Sequence, residues 1–101
     1  MLVEWVSMAI HHHTKGHMTV EEYYSSEQNW CKHSLHNHQG QRCLVGATYH
    51  CYKKEDRDAV MRKLETAIRT YQGMGYSITA FNDSATTSFK DVLAVVKAAQ
   101  V

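Results

Sequence analysis

From Val20 onward the chain alternates apolar and polar positions in blocks of different period. Val20, Tyr23, Tyr24, Trp30 and Cys31 fall at three-to-four spacing, with polar Glu27 as the exception. That spacing predicts a helix over 20–31, with Trp30 closing its apolar face as a core anchor. Thr19 followed three residues on by Glu22 is the pattern of a capping box at its start.

Residues 32–42, Lys-His-Ser-Leu-His-Asn-His-Gln-Gly-Gln-Arg, have no period and contain the turn formers Asn37 and Gly40, so they read as a loop. Cys43 to Tyr52 supports two readings. Cys43, Ala47 and Cys51 lie at i, i+4, i+8 and suit a buried helical face, whereas Val45, Thr48, Tyr49 and Tyr52 suit a strand. The helix is favoured. Gly46 costs it about 1 kcal/mol relative to alanine, which points to a close approach by another helix or strand at that position.

Val60, Leu64, Ile68 and Tyr71 form a long stripe, widened by Met61 and Ala67 and stopped by Gly73 and Gly75, which predicts a helix over 55–72. Tyr76 to Phe81 is short, alternating and partly β-branched, and predicts one extended segment. Ser88 with Asp91 makes a second capping box, opening a helix over 88–99. Phe89, Leu93 and Val96 give that helix one apolar face, and Val92, Val95 and Ala99 give it a neighbouring one. The second face is surplus in a four-helix domain, so a second chain is expected to cover it, most simply in a homodimer through this fourth helix. The fold class expected is mainly α: a compact four-helix domain with one short extended segment before the last helix.

Composition narrows the picture. The chain has 101 residues, 44% hydrophobic and 21% charged, which bounds it to one globular domain. A formal net charge of +1 gives no electrostatic case for nucleic acid or an anionic membrane, and no apolar run is long enough to span a bilayer. Residues 1–17 read differently from the rest. His11, His12, His13 and His17 make them a tag-like or disordered N-terminal extension, set apart from a single helical domain over 18–101. There are three cysteines, an odd number, and no secretory pattern, so a cytoplasmic protein with free thiols is expected.

Four blocks carry a family resemblance: Trp30; Arg42-Cys43-Leu44-Val45-Gly46-Ala47; Phe81-Asn82-Asp83; and Asp91-Val92-Leu93. Together they resemble a family of small bacterial and phage proteins known only as a domain of unknown function. Phe81 stands where that pattern has tryptophan, and the histidine-rich loop also departs from it. The resemblance implies a small helical domain and transfers no mechanism.

Three kinds of chemistry are open. Cys31, His33, His36 and His38 are ligand types that zinc prefers, at a dense spacing that matches no standard finger, which gives a zinc-stabilised module as one alternative. Cys43, His50 and Asn82 or Asp83 supply the residue types of a cysteine-dependent hydrolase, although Cys43 falls on the predicted core face, where a thiol is inert. His36-Asn37-His38 has the letters of a nuclease motif but packs them adjacently, without the spread that motif needs. There is no paired His-x-Glu and Cys-x-x-Cys, which excludes a zinc deaminase, and no phosphate-binding glycine loop. The remaining class is a small non-enzymatic interaction or regulatory protein with a protein partner and no required cofactor. Its candidate binding residues are Tyr49 and Tyr52, from a tyrosine-rich set, and the Asn82-Asp83 pair, whose commoner role is to close a turn or cap a helix.

Overall fold

The computed structural model describes residues 18–101, and the stretch 1–17, expected to be a tag-like or disordered extension, lies outside the described residues. The described chain is mainly helical. Its elements are α1 (Val20–Tyr23), α2 (Leu44–Cys51), α3 (Lys54–Gln72), α4 (Ile78–Asp83) and α5 (Phe89–Ala99), with a short 3₁₀ turn over Glu27–Asn29 after α1. No helix among the described residues is long and apolar enough to cross a membrane.

The helix start expected at Thr19 forms. Its hydroxyl accepts from the Glu22 N–H, and the Glu22 carboxylate accepts from the Thr19 N–H. The expected run to residue 31 does not form, because α1 ends at Tyr23. Two local hydrogen bonds account for this. The Asn29 side-chain amide donates to the Tyr23 carbonyl at 2.7 Å, capping the helix end, and the Ser26 hydroxyl accepts from the Gln28 N–H to open the 3₁₀ turn. Short polar side chains that bond to nearby backbone compete with helix propagation. Trp30 is therefore not on α1. It sits in extended backbone, half-buried, bridged to Arg42.

Residues 44–51 form the favoured helix, with Cys43 as N-cap and its sulfur accepting from the Gly46 N–H at 3.4 Å. Helix α3 follows its expected stripe through Val60, Leu64, Ala67 and Ile68, which are buried, with Met61 half-buried. Tyr71, expected to continue the stripe, is exposed, and the helix ends at Gly73, whose φ of 108° suits glycine. The segment read as extended, 76–81, is so only at its start. Ser77 is extended and caps α4 by accepting from the Ala80 N–H. From there Ile78, Phe81 and Asn82 are the buried positions, a three-to-four spacing in place of alternation.

Helix α5 begins at the expected Ser88–Asp91 capping box. Val92, Val95 and Val96 are fully buried within the one chain. The face assigned to a second chain is thus packed inside the domain, where α5 lies along α3 and against α1, while Phe89 and Leu93 of the face expected to fill the core are only half-buried. Val101 then folds back, and its carbonyl accepts from the Glu21 N–H at 3.1 Å, joining the two ends of the domain.

Candidate functional site

The irregular segment 30–43 is the largest departure from regular structure, and side chains distant in sequence fix it in place. Asn82, fully buried, is the central tie. Its Oδ1 accepts from Trp30 Nε1–H at 2.7 Å and from the Leu44 N–H at 3.1 Å, and its Nδ2 donates to the Cys31 carbonyl at 3.1 Å and to Asp83 Oδ1 at 2.8 Å. Asp83 also accepts from the His33 N–H at 2.8 Å, and Lys32 Nζ donates to the Ser84 carbonyl at 2.6 Å. On the other side, the hydroxyls of Tyr23 and Tyr24 donate to the carbonyls of Gly40 and Arg42. Within the loop, Asn37 Oδ1 accepts from the N–H groups of Gln39 and Gln41, closing the turn.

Three of the four blocks behind the family resemblance meet at this tie: Trp30, the Arg42–Ala47 block and Phe81-Asn82-Asp83. The fourth caps α5, where the Asp91 carboxylate also accepts from the Tyr71 hydroxyl at 2.7 Å. Every hydrogen-bonding position of the buried Asn82 amide is used within the protein, which is what burial of such a group requires.

The electrostatics agree with a structural role for this tie. Burial alone would raise the Asp83 carboxyl, but the His33 N–H, the Asn82 amide and the charges of His33 and Lys32 hold it below the usual carboxylate range. Burial, with Cys43 and Asp83 nearby, pushes the Cys31 thiol up. The Cys51 thiol is pushed up to about 12 by burial, and burial takes the Tyr52 hydroxyl to about 12 as well.

Of the four candidate binding residues, only Tyr49 is at the surface, 54% exposed. Tyr52 and Asn82 are buried, and the Asp83 carboxylate is occupied by His33 and Asn82. The four candidate metal ligands are distributed over different tasks. Cys31 Sγ donates to the Ser34 carbonyl at 3.5 Å, and His33 Nδ1 lies 3.7 Å from Asp83 Oδ2. His36 turns toward α2, and His38 is exposed beside the 37–40 turn. Among the described residues, no three His, Cys, Asp or Glu side chains are gathered where they could hold a metal. Cys43, the candidate nucleophile, is buried, and its sulfur serves as the α2 cap.

The tied loop presents an outward surface together with α2. Leu35 is 60% exposed although its backbone presses on the helix at Gly46. A side chain at Gly46 would collide with the Leu35 carbonyl oxygen and come within 2.9 Å of the carbonyl carbon. Glycine at this position lets the loop lie directly on the helix, and it sets Leu35 beside Tyr49. The Arg57 guanidinium stacks over the Tyr49 ring at 4.6 Å while donating to the carbonyls of Tyr49 and Tyr52, so the ring is braced from α3. Between loop and helix lies a cavity of about 260 Å³, lined by Leu35, His36, Arg42, Gly46, Tyr49 and His50. The sequence reading missed Leu35, Arg42 and Arg57 as surface-forming residues. Gly46 was the available signal, since a glycine inside a helical pattern marks a backbone contact.

The chain belongs to a family of unknown function, DUF6197, whose family model matches residues 21–100. No curated protein and no solved structure matches the chain.

Proposed function

We propose that this protein is a small regulatory or interaction protein that works by binding a protein partner through the face formed by loop 34–42 and α2. The observation behind this reading is the pair Leu35 and Tyr49. Two large side chains stand exposed beside a cavity, on a loop whose flanks at Trp30 and Leu44 are both tied to the buried Asn82 side chain. A preorganised surface lowers the ordering cost of association, and aromatic and arginine residues are the usual energetic anchors of interfaces. The reactive residue types give no comparable support to catalysis. Cys43 and Cys51 are buried, and Asn82 and Asp83 are committed to backbone ties.

Site-specific photocrosslinking in the native cell tests the reading. A photoreactive residue at position 35 or 49 should yield the same discrete protein adduct, and one at Thr66, on the exposed side of α3, should not. Equal adducts from all three positions, or none from 35 and 49, would remove this face as the binding surface.

A further inference from the structure

The composition of the cavity beneath Leu35 and Tyr49 narrows the partner. Its lining holds one guanidinium, Arg42, and two imidazoles, His36 and His50, and no carboxylate. Arg42 is half-buried, and its main chain is committed to the tie: its carbonyl accepts from Tyr24, and its N–H donates to the Asn29 carbonyl. Its guanidinium has no acidic partner within salt-bridge distance among the described residues. It lines the cavity together with the two imidazoles and the exposed Leu35 and Tyr49. A partly desolvated guanidinium gains most from a carboxylate that arrives with its own apolar neighbours.

We infer that the cavity is an acidic-residue subsite: it receives an Asp or Glu side chain of a peptide segment of the partner, while Leu35 and Tyr49 hold an apolar residue beside it. Three features favour a peptide. At about 260 Å³ the cavity has room for one side chain, below the roughly 300–1,000 Å³ typical of sites for drug-sized ligands. The rim is aliphatic and aromatic, which matches alternating acidic and apolar residues. A nucleic acid would need a track of several lysines and arginines, whereas this face offers Arg42 with Arg57, and Arg57 is already bonded to the carbonyls of Tyr49 in α2 and of Tyr52 just after it.

The inference rests on the binding-face reading above, and the two fail separately. Crosslinks from 35 and 49 without acidic-peptide binding would keep the face and discard the ligand class. Peptide shifts at the cavity without crosslinks would keep the acidic-residue subsite and discard the claim that a cellular protein partner uses the face.

The test is a titration of the ¹⁵N-labelled full chain, followed by amide chemical shifts. The probe is the capped peptide Gly-Asp-Glu-Leu-Glu-Asp-Gly, compared with its Asn/Gln counterpart and with a single-stranded oligonucleotide. The acidic peptide should shift Leu35, His36, Gly46 and Tyr49, and the amide counterpart should leave them in place. Arg42→Gln should weaken binding by about tenfold or more, the equivalent of about 1.4 kcal/mol. His36→Glu, an exposed loop change that puts a negative charge at the cavity, should abolish binding with the fold intact, and it decides the matter if Arg42→Gln fails to fold. Absence of shifts with the acidic peptide, equal shifts with both peptides, shifts on another face, or preference for the oligonucleotide would each overturn the inference.

Discussion

The indole N–H of Trp30 donates to Asn82 Oδ1 at 2.7 Å across 52 positions of sequence. This bond joins the start of the irregular loop to the end of α4, and the same oxygen accepts from the first N–H of α2. One buried amide therefore sets the loop, the α2 start and the α4 end relative to one another. The surface carrying Leu35 and Tyr49 depends on that arrangement.

Asn82→Ala should strand the Trp30 N–H, the Leu44 N–H and the Cys31 carbonyl. The Leu44 bond is buried and the other two are half-buried. A buried group left without a partner costs about 1–3 kcal/mol and a half-buried one less, so the variant should lose about 2–5 kcal/mol, a large share of the stability of a small domain. Trp30→Phe keeps most of the ring packing and removes one donor, and should cost about 1–2 kcal/mol. Urea denaturation of both single variants and the double variant checks the coupling. The pair should be strongly non-additive, and simple additivity would mean the bond does not hold the loop.

Gly46→Ala sets two effects against each other. Helix propensity alone would favour alanine by about 1 kcal/mol. The added methyl instead meets the Leu35 backbone, which cannot rotate away as a side chain could. Destabilisation of at least about 1–3 kcal/mol is expected, read from thermal or urea unfolding, together with chemical-shift changes at Leu35 and Tyr49. A stabilised variant would show that the loop does not rest on α2.

Val95→Glu should not give a folded monomer. Val95 is fully buried inside the chain, and an unpaired carboxylate there cannot be desolvated without loss of the fold. Circular dichroism should show an unfolded or strongly destabilised protein. A well-folded variant would place Val95 at a surface.

Stability should fall at both ends of the pH scale. The carboxyls of Asp83 and Asp91 are lowered in the folded chain, Asp91 by the Ser88 N–H and the Tyr71 hydroxyl. Their contribution is present above the ordinary carboxylate range and is lost as pH falls through the folded values. At the alkaline end the Cys51 thiol is raised from 9.0 to about 12. Its contribution is complete below about 9 and is lost as pH rises through about 12. Melting temperature against pH should decline on both sides, less steeply in acid for Asp83→Asn and in alkali for Cys51→Ala. Unchanged profiles in these variants would assign the pH dependence to other groups.

Much of the helical architecture was legible in the sequence because local signals and burial agreed. The capping boxes at Thr19 and Ser88, the α3 stripe with its glycine stop, and the helix over 44–51 all rest on interactions within a few residues, which periodicity and cap chemistry report directly. What tertiary structure decided lay where local preferences were balanced. Helix α1 stops at Tyr23 because Asn29 and Ser26 bond back to the main chain. Tyr76–Phe81 becomes mostly helix because Phe81 and Asn82 must point into the core and the tie. Val92 and Val95 read as a surplus face because nothing along the chain says that α3 and α1 together enclose α5 on two sides. The candidate binding face followed the same rule. Gly46 announced a close approach, but that Leu35 makes it, lining one cavity with Tyr49 and Arg42, depends on hydrogen bonds between residues some fifty positions apart. A one-dimensional pattern does not encode which distant donor meets which acceptor.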